Sequence, residues 1–262
     1  MDVKINARGQ TTLFIVGGIV IVGLIALFLF YKGGLIPSLN FKQDTNPNSF
    51  FESCIEGKVK EATGLISSQG GYIENRLNIN FKFDKWEKYR NISYLCYTQS
   101  YYVSCVNQEP MLIQHLKDEI ENYIRDEVEN CFRDYVSELK NQNYEVESFY
   151  DGFYVNLYPK RIRIDINGKI TAMKTGEASK QENFEIAIPT RFYDIASVMQ
   201  EIISQEARFC NFETQGYMLF YPEFDIDRFI AGDSAKIYQI KHRNSNEEFV
   251  FAVRGCVIPP GV

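Results

Sequence analysis

Apolar residues change rhythm along this chain, and each rhythm predicts an element. From Leu13 to Tyr31 they run almost unbroken, nineteen residues without charge or proline. At about 1.5 Å per helical residue, that run covers close to the ~30 Å hydrocarbon core of a bilayer. A helix packed on a soluble domain would keep a polar stripe, and this run has none. It reads as one membrane-spanning helix whose partner is lipid. Residues 1–12 then form a short cytoplasmic segment, because Lys4 and Arg8 resist translocation.

After the run the pattern breaks. Residues 32–48 hold Gly33, Gly34, Pro37 and Pro47 without periodicity, as a linker does. Helical spacing then begins. Ser49-Phe50-Phe51-Glu52 has the form of a capping box, followed by Phe51, Ile55, Val59, Ala62 and Ile66 on one face, with Gly70-Gly71 as the stop. Alternation from Tyr72 to Val106 predicts strands. A long amphipathic helix follows, from about Glu109 to Lys140, with Pro110 in its first turn. Its apolar stripe is Leu112, Leu116, Ile120, Tyr123, Ile124, Val128, Cys131, Tyr135 and Leu139.

The second half reads as strands with one helix. Tyr144 to Phe149 and Phe153 to Tyr158 flank Asp151-Gly152, a hairpin signal, and Asn167-Gly168 predicts a second tight turn. Ile162, Ile164 and Ile166 alternate with polar neighbours, as do Phe184, Ile186 and Ile188. A helix is expected from Pro189-Thr190 to Phe209, with Phe192, Ile195, Val198, Ile202 and Phe209 on one face. A last hairpin spans Lys236 to Arg254 and turns at Asn244-Ser245-Asn246. The expected fold is α+β: one N-terminal transmembrane helix, then an extracytoplasmic domain over 49–262 of helices on mostly antiparallel sheet. That domain is either one unit or two subdomains, 49–142 and 143–262.

Cysteine use bears on the compartment. All six cysteines lie after the apolar run, and no CxxC pair occurs, so up to three disulfides of an exported domain are expected. Cys96 and Cys105 suit a bridge across a hairpin. A Cys54–Cys131 bridge would pin the first helix to the long one, leaving Cys210 and Cys256 for the third. Asn91-Ile92-Ser93 is a glycosylation sequon, consistent with export.

The residues before the apolar run refine this. Ala7-Arg8-Gly9-Gln10-Thr11-Thr12 resembles the class III signal peptides of archaeal type IV pilin-like proteins. That resemblance spans about the first thirty residues. It implies cleavage on the cytoplasmic side between Gly9 and Gln10, with the apolar helix retained. The chain departs from that family at Phe14, where a glutamate is usual. It also departs at Gly33, Gly34 and Pro37, which interrupt the helix directly after the run.

Candidate chemistry is sparse. No phosphate-binding loop, G-x-S-x-G or H-E-x-x-H motif occurs, and neither His115 nor His242 is tied to a nucleophile. No catalytic residue, cofactor-binding residue or metal ligand is assigned. Glu223, Asp225 and Asp227 alternate, so on one strand face they would either hold a hard cation or guard an edge. A net charge of −6 without a basic stripe argues against nucleic acid. Among 17 tyrosines, Tyr94, Tyr97, Tyr101 and Tyr102 gather around the cysteine hairpin, where exposed rings could bind a protein or a glycan. The expected function is a single-pass, membrane-anchored cell-surface protein with a disulfide-stabilised domain that binds or builds. The alternatives are a minor pilin-like subunit processed after Gly9 and an extracytoplasmic enzyme.

Overall fold

The computed structural model describes residues 46–83 and 87–259. The apolar run, most of the linker and the Gly9-Gln10 motif lie outside the described residues. Among the described residues no helix is long and apolar enough to cross a membrane.

Helix α1, Pro47–Ser68, buries Phe51, Ile55, Val59, Ala62 and Ile66, the face its spacing predicts. It starts two residues earlier than the capping box implied. Proline has no N–H to satisfy and its φ suits a first turn, so Pro47 can open the helix and Ser49 falls inside it. The helix closes where the Gly71 N–H donates to the Ile66 carbonyl at 2.9 Å. Helix α2, Leu112–Asn141, follows the turn containing Pro110 and buries ten residues on one stripe, from Leu112 to Leu139. Both helices press their stripes together. Phe51 meets Tyr135 at 5.3 Å and Phe184 at 5.0 Å between ring centroids.

Three long strands form the first sheet: β4 Glu145–Tyr158, β5 Arg161–Lys174 and β6 Glu177–Pro189, paired antiparallel in chain order. Neither expected turn within this region exists. Asp151-Gly152 is a bulge inside β4, where the register with β5 shifts between Tyr150 and Phe153. Gly152 there takes φ +87°, which glycine adopts without a Cβ penalty. Asn167-Gly168 lies inside β5, where the register with β6 shifts between Ile166 and Lys169. A Cβ on Gly168 would stand 2.8 Å from the Phe132 ring, so glycine here serves close packing rather than a turn. The chain reverses instead at Pro159-Lys160 and Thr175-Gly176.

The second sheet has six strands: β1 Asn78–Phe81, β2 Arg90–Tyr97, β3 Val106–Asn107, β7 Phe224–Ile230, β8 Lys236–His242 and β9 Glu248–Arg254. Its order is β1-β2-β9-β8-β7, with β3 beside β2. Every pair is antiparallel except β2 with β9. This sheet is covered on both faces, so β8 and β9 bury near-continuous runs rather than alternate residues. A smaller cluster of Phe83, Ile92, Tyr94, Ala235, Ile237, Val250 and Ala252 fills its far side.

Helix α3, Phe192–Phe209, touches strands of both sheets, as α1 does. Phe209 is exposed rather than on the buried face, and Glu206 takes the inward position at the helix's end. A short helix α4, Thr214–Phe220, has no counterpart in the sequence reading. The described residues thus hold four helices and two antiparallel-rich sheets, an α+β domain. One core spans 49–142 and 143–262 alike. Three disulfides cross it: Cys54–Cys131, Cys96–Cys105 and Cys210–Cys256, with Cα separations of 6.1, 5.3 and 5.9 Å.

Candidate functional site

A cleft of about 410 Å³ opens between α1, the start of α3 and the ends of β5, β6 and β9. Val59, Ile162, Ile188, Phe192 and Ile195 make its floor, with Lys60, Thr63, Thr190, Glu247 and Glu248 around it. Its polar groups are already engaged. The Thr190 hydroxyl donates to Glu247 at 2.7 Å and accepts the Phe192 N–H at 3.1 Å. Glu247 also accepts the Arg191 N–H at 2.9 Å. Thr190 and Glu247 thereby satisfy the Arg191 and Phe192 N–H groups at the start of α3, which have no acceptor in the helix's own backbone. Glu248 accepts from Gln239 at 2.9 Å, and Lys60 reaches Glu56 at 2.5 Å. Among the described residues no nucleophile–base pair converges on the cleft.

The most buried charge lies elsewhere. Glu206 is 0% exposed, with the Lys236 ammonium 2.7 Å from one carboxylate oxygen and the Tyr238 hydroxyl donating to the other. Lys236 also donates to the Cys210 carbonyl at the end of α3. A cation there satisfies an orphan carbonyl and complements the helix dipole. Burial, then the Glu206 carboxylate, push the Tyr238 phenol far above its usual range. The trio anchors the end of α3 to β8 beside the Cys210–Cys256 bridge. Sequence reasoning passed over Glu206. Its signal was a carboxylate four residues after Ile202, where the helical pattern calls for an apolar side chain.

The residues singled out from sequence are dispersed. His115 donates through its Nε2–H to the Gly71 carbonyl at 2.8 Å, and its ring lies tilted against Tyr72 with centroids 4.5 Å apart. Tyr72 in turn donates to Glu109 at 2.6 Å, so this group fastens the α1–β1 connection to α2. His242 is buried, with Nδ1 3.2 Å from the Ser245 hydroxyl inside the last hairpin turn. Glu223, Asp225 and Asp227 do not converge. Asp225 stands 3.6 Å from Arg243, on the edge strand β7. Among the described residues the one trio with metal-ligating atoms in reach is Cys54, Glu127 and Cys131, whose two sulfurs are bonded to each other.

The tyrosine cluster divides. Tyr94 is buried, its phenol raised by burial and then by Asp233. Arg254 lies over Tyr97 at 5.9 Å and Tyr101 at 5.6 Å, and its guanidinium donates to the Thr98 carbonyl at 2.5 Å. Tyr102 is the most exposed of the four. Asn91 is exposed on β2, its side-chain oxygen accepting from Asn80 at 2.8 Å. Ser93, the third residue of the sequon, is buried, and its hydroxyl donates to Asn75 at 2.7 Å. Comparison with protein-family models, curated proteins and solved structures finds no match to this chain.

Proposed function

We propose that this chain is a single-pass, membrane-anchored cell-surface protein whose disulfide-stabilised domain binds rather than catalyses. The observation that carries the reading is the use of cysteine: all six pair, and all six follow the apolar run Leu13 to Tyr31. Such pairing persists in oxidising compartments, and the apolar run with Lys4 and Arg8 before it supplies a reason for the domain to be exported. Binding is preferred over catalysis because the cleft's carboxylates and hydroxyls cap helices and brace strands.

The test is protease protection. On intact cells, externally added protease should remove the domain, and lysis should expose no further cleavage. A domain protected until lysis ends the proposal.

A second reading is supported by Arg8-Gly9-Gln10 lying directly against the apolar run. It makes the chain a pilin-like subunit cut between Gly9 and Gln10. Sequencing of the mature N-terminus decides it: Gln10 at the start supports the reading, and retained Met1 removes it.

A further inference from the structure

Antiparallel sheets expose alternate residues, and the first sheet carries an unusual set on its outward face. Tyr154, Asp165 and Glu185 lie in one cross-strand row, and Asn156 and Arg163 in the next. Their neighbours Phe153, Val155, Ile164 and Ile186 point into the core, so these five share the opposite side. Among the described residues no element covers that side. Tyr154 is 59% exposed.

The polar members of this face hold one another in place. The Asn156 amide donates to Asp165 at 2.9 Å, and the Arg163 Nε donates to the same carboxylate oxygen at 3.1 Å. Arg163 also sits 3.9 Å from Glu185, with its guanidinium 5.0 Å from the centre of the Tyr158 ring. Three planar groups, those of Asn156, Arg163 and Asp165, are thus ordered beside one exposed ring. Each has more donors or acceptors than this row consumes. Because rigid strands and mutual bonds pre-order them, a ligand would not have to freeze them. Among the named charges Arg163 faces both Asp165 and Glu185, a net charge of −1, so the face offers no positive field to a polyanion or an acidic membrane.

We propose that this face binds an uncharged glycan. A pyranose has an apolar C–H face and a rim of hydroxyls. Tyr154 supplies the platform for the first, and Asn156, Arg163, Asp165 and Glu185 supply paired donors and acceptors for the second. The inference rests on the cell-surface reading and names the ligand class for it.

The experiment uses the full-length chain in detergent micelles on a printed array of neutral and anionic saccharides. Vesicles of mixed neutral and anionic phospholipid serve as a second probe. Wild type is compared with Y154A, with N156A and with F220A, a surface change on α4. Circular dichroism and melting temperature confirm that each variant is folded. Expected are neutral saccharides bound with little sensitivity to salt, about tenfold weaker binding by Y154A, weaker binding by N156A, and no change for F220A.

Three results overturn the inference. One is no neutral saccharide bound by folded wild type. Another is binding that folded Y154A and N156A retain in full. The third is Y154A-sensitive binding to vesicles or anionic saccharides alone. Failure on the array with the domain outside the cell removes only the glycan. A domain shielded by the membrane removes the cell-surface reading whatever the array shows.

Discussion

At the scale of single residues, the strongest constraints are polar groups placed where the pattern asks for apolar ones. Glu206 is completely enclosed, so its carboxylate depends on Lys236 and Tyr238. E206A removes the shared acceptor and leaves the Lys236 ammonium with the Cys210 carbonyl but no counter-charge. It is expected to cost about 3 kcal/mol in urea unfolding, in line with breaking a buried pair. Gly168 is constrained by volume. G168A is expected to cost about 1–3 kcal/mol through overpacking against Phe132, and pairing it with F132L should return part of that loss. The tyrosines set the alkaline limit. Burial raises Tyr72, Tyr94 and Tyr238 above the usual phenol range and pushes Tyr217 up to about 12. A raised phenol stabilises the fold fully below its unfolded pKa of about 10, and that contribution disappears as pH climbs through the folded value. Stability should therefore hold up to about pH 10 and decline from there towards about pH 12, tracked by denaturant midpoint and tyrosinate absorbance. A flat profile across that window would contradict the buried phenols.

At the scale of elements, the bridges and the bulges matter most. Cys54–Cys131 closes 77 residues, Cys210–Cys256 closes 46 and Cys96–Cys105 closes 9. Chain-entropy reasoning then ranks their removal at about 4.5, 4 and 2.6 kcal/mol. Paired serine variants, unfolded under identical conditions, should follow that order. Helix faces were legible because amphipathic spacing over 22 and 30 residues leaves little ambiguity. The two misread turns fail for a shared reason. Asp-Gly and Asn-Gly mark positions where the backbone departs from a plain strand, and a bulge and a hairpin turn make the same local demand. Only the neighbour strand decides which one forms. Here β5 continues alongside β4 past Gly152 in a shifted register.

At the scale of the whole molecule, the proposals turn on which solvent each part meets. Leu13 to Tyr31 is proposed to meet lipid, whereas the described domain closes its own core and its own thiols. A thiol reagent should label no cysteine in the denatured, unreduced protein and six after reduction. Labelling before reduction would count against the oxidised domain. Sequence by itself determined the apolar run, the faces of α1 and α2, and the inward residues of β5 and β6; which cysteine meets which was settled by the fold. Those are local or periodic properties, and each segment carries enough of the pattern to specify them. Tertiary structure alone decided that β2 runs parallel to β9 and that Glu247 caps a helix 56 residues away. It also set Glu206 against Lys236 and Tyr238, and brought Glu185 of β6 into one row with Tyr154 of β4. Those groupings come from segments far apart in the chain, and no local energy favours them until the sheets and helices enclose a common core.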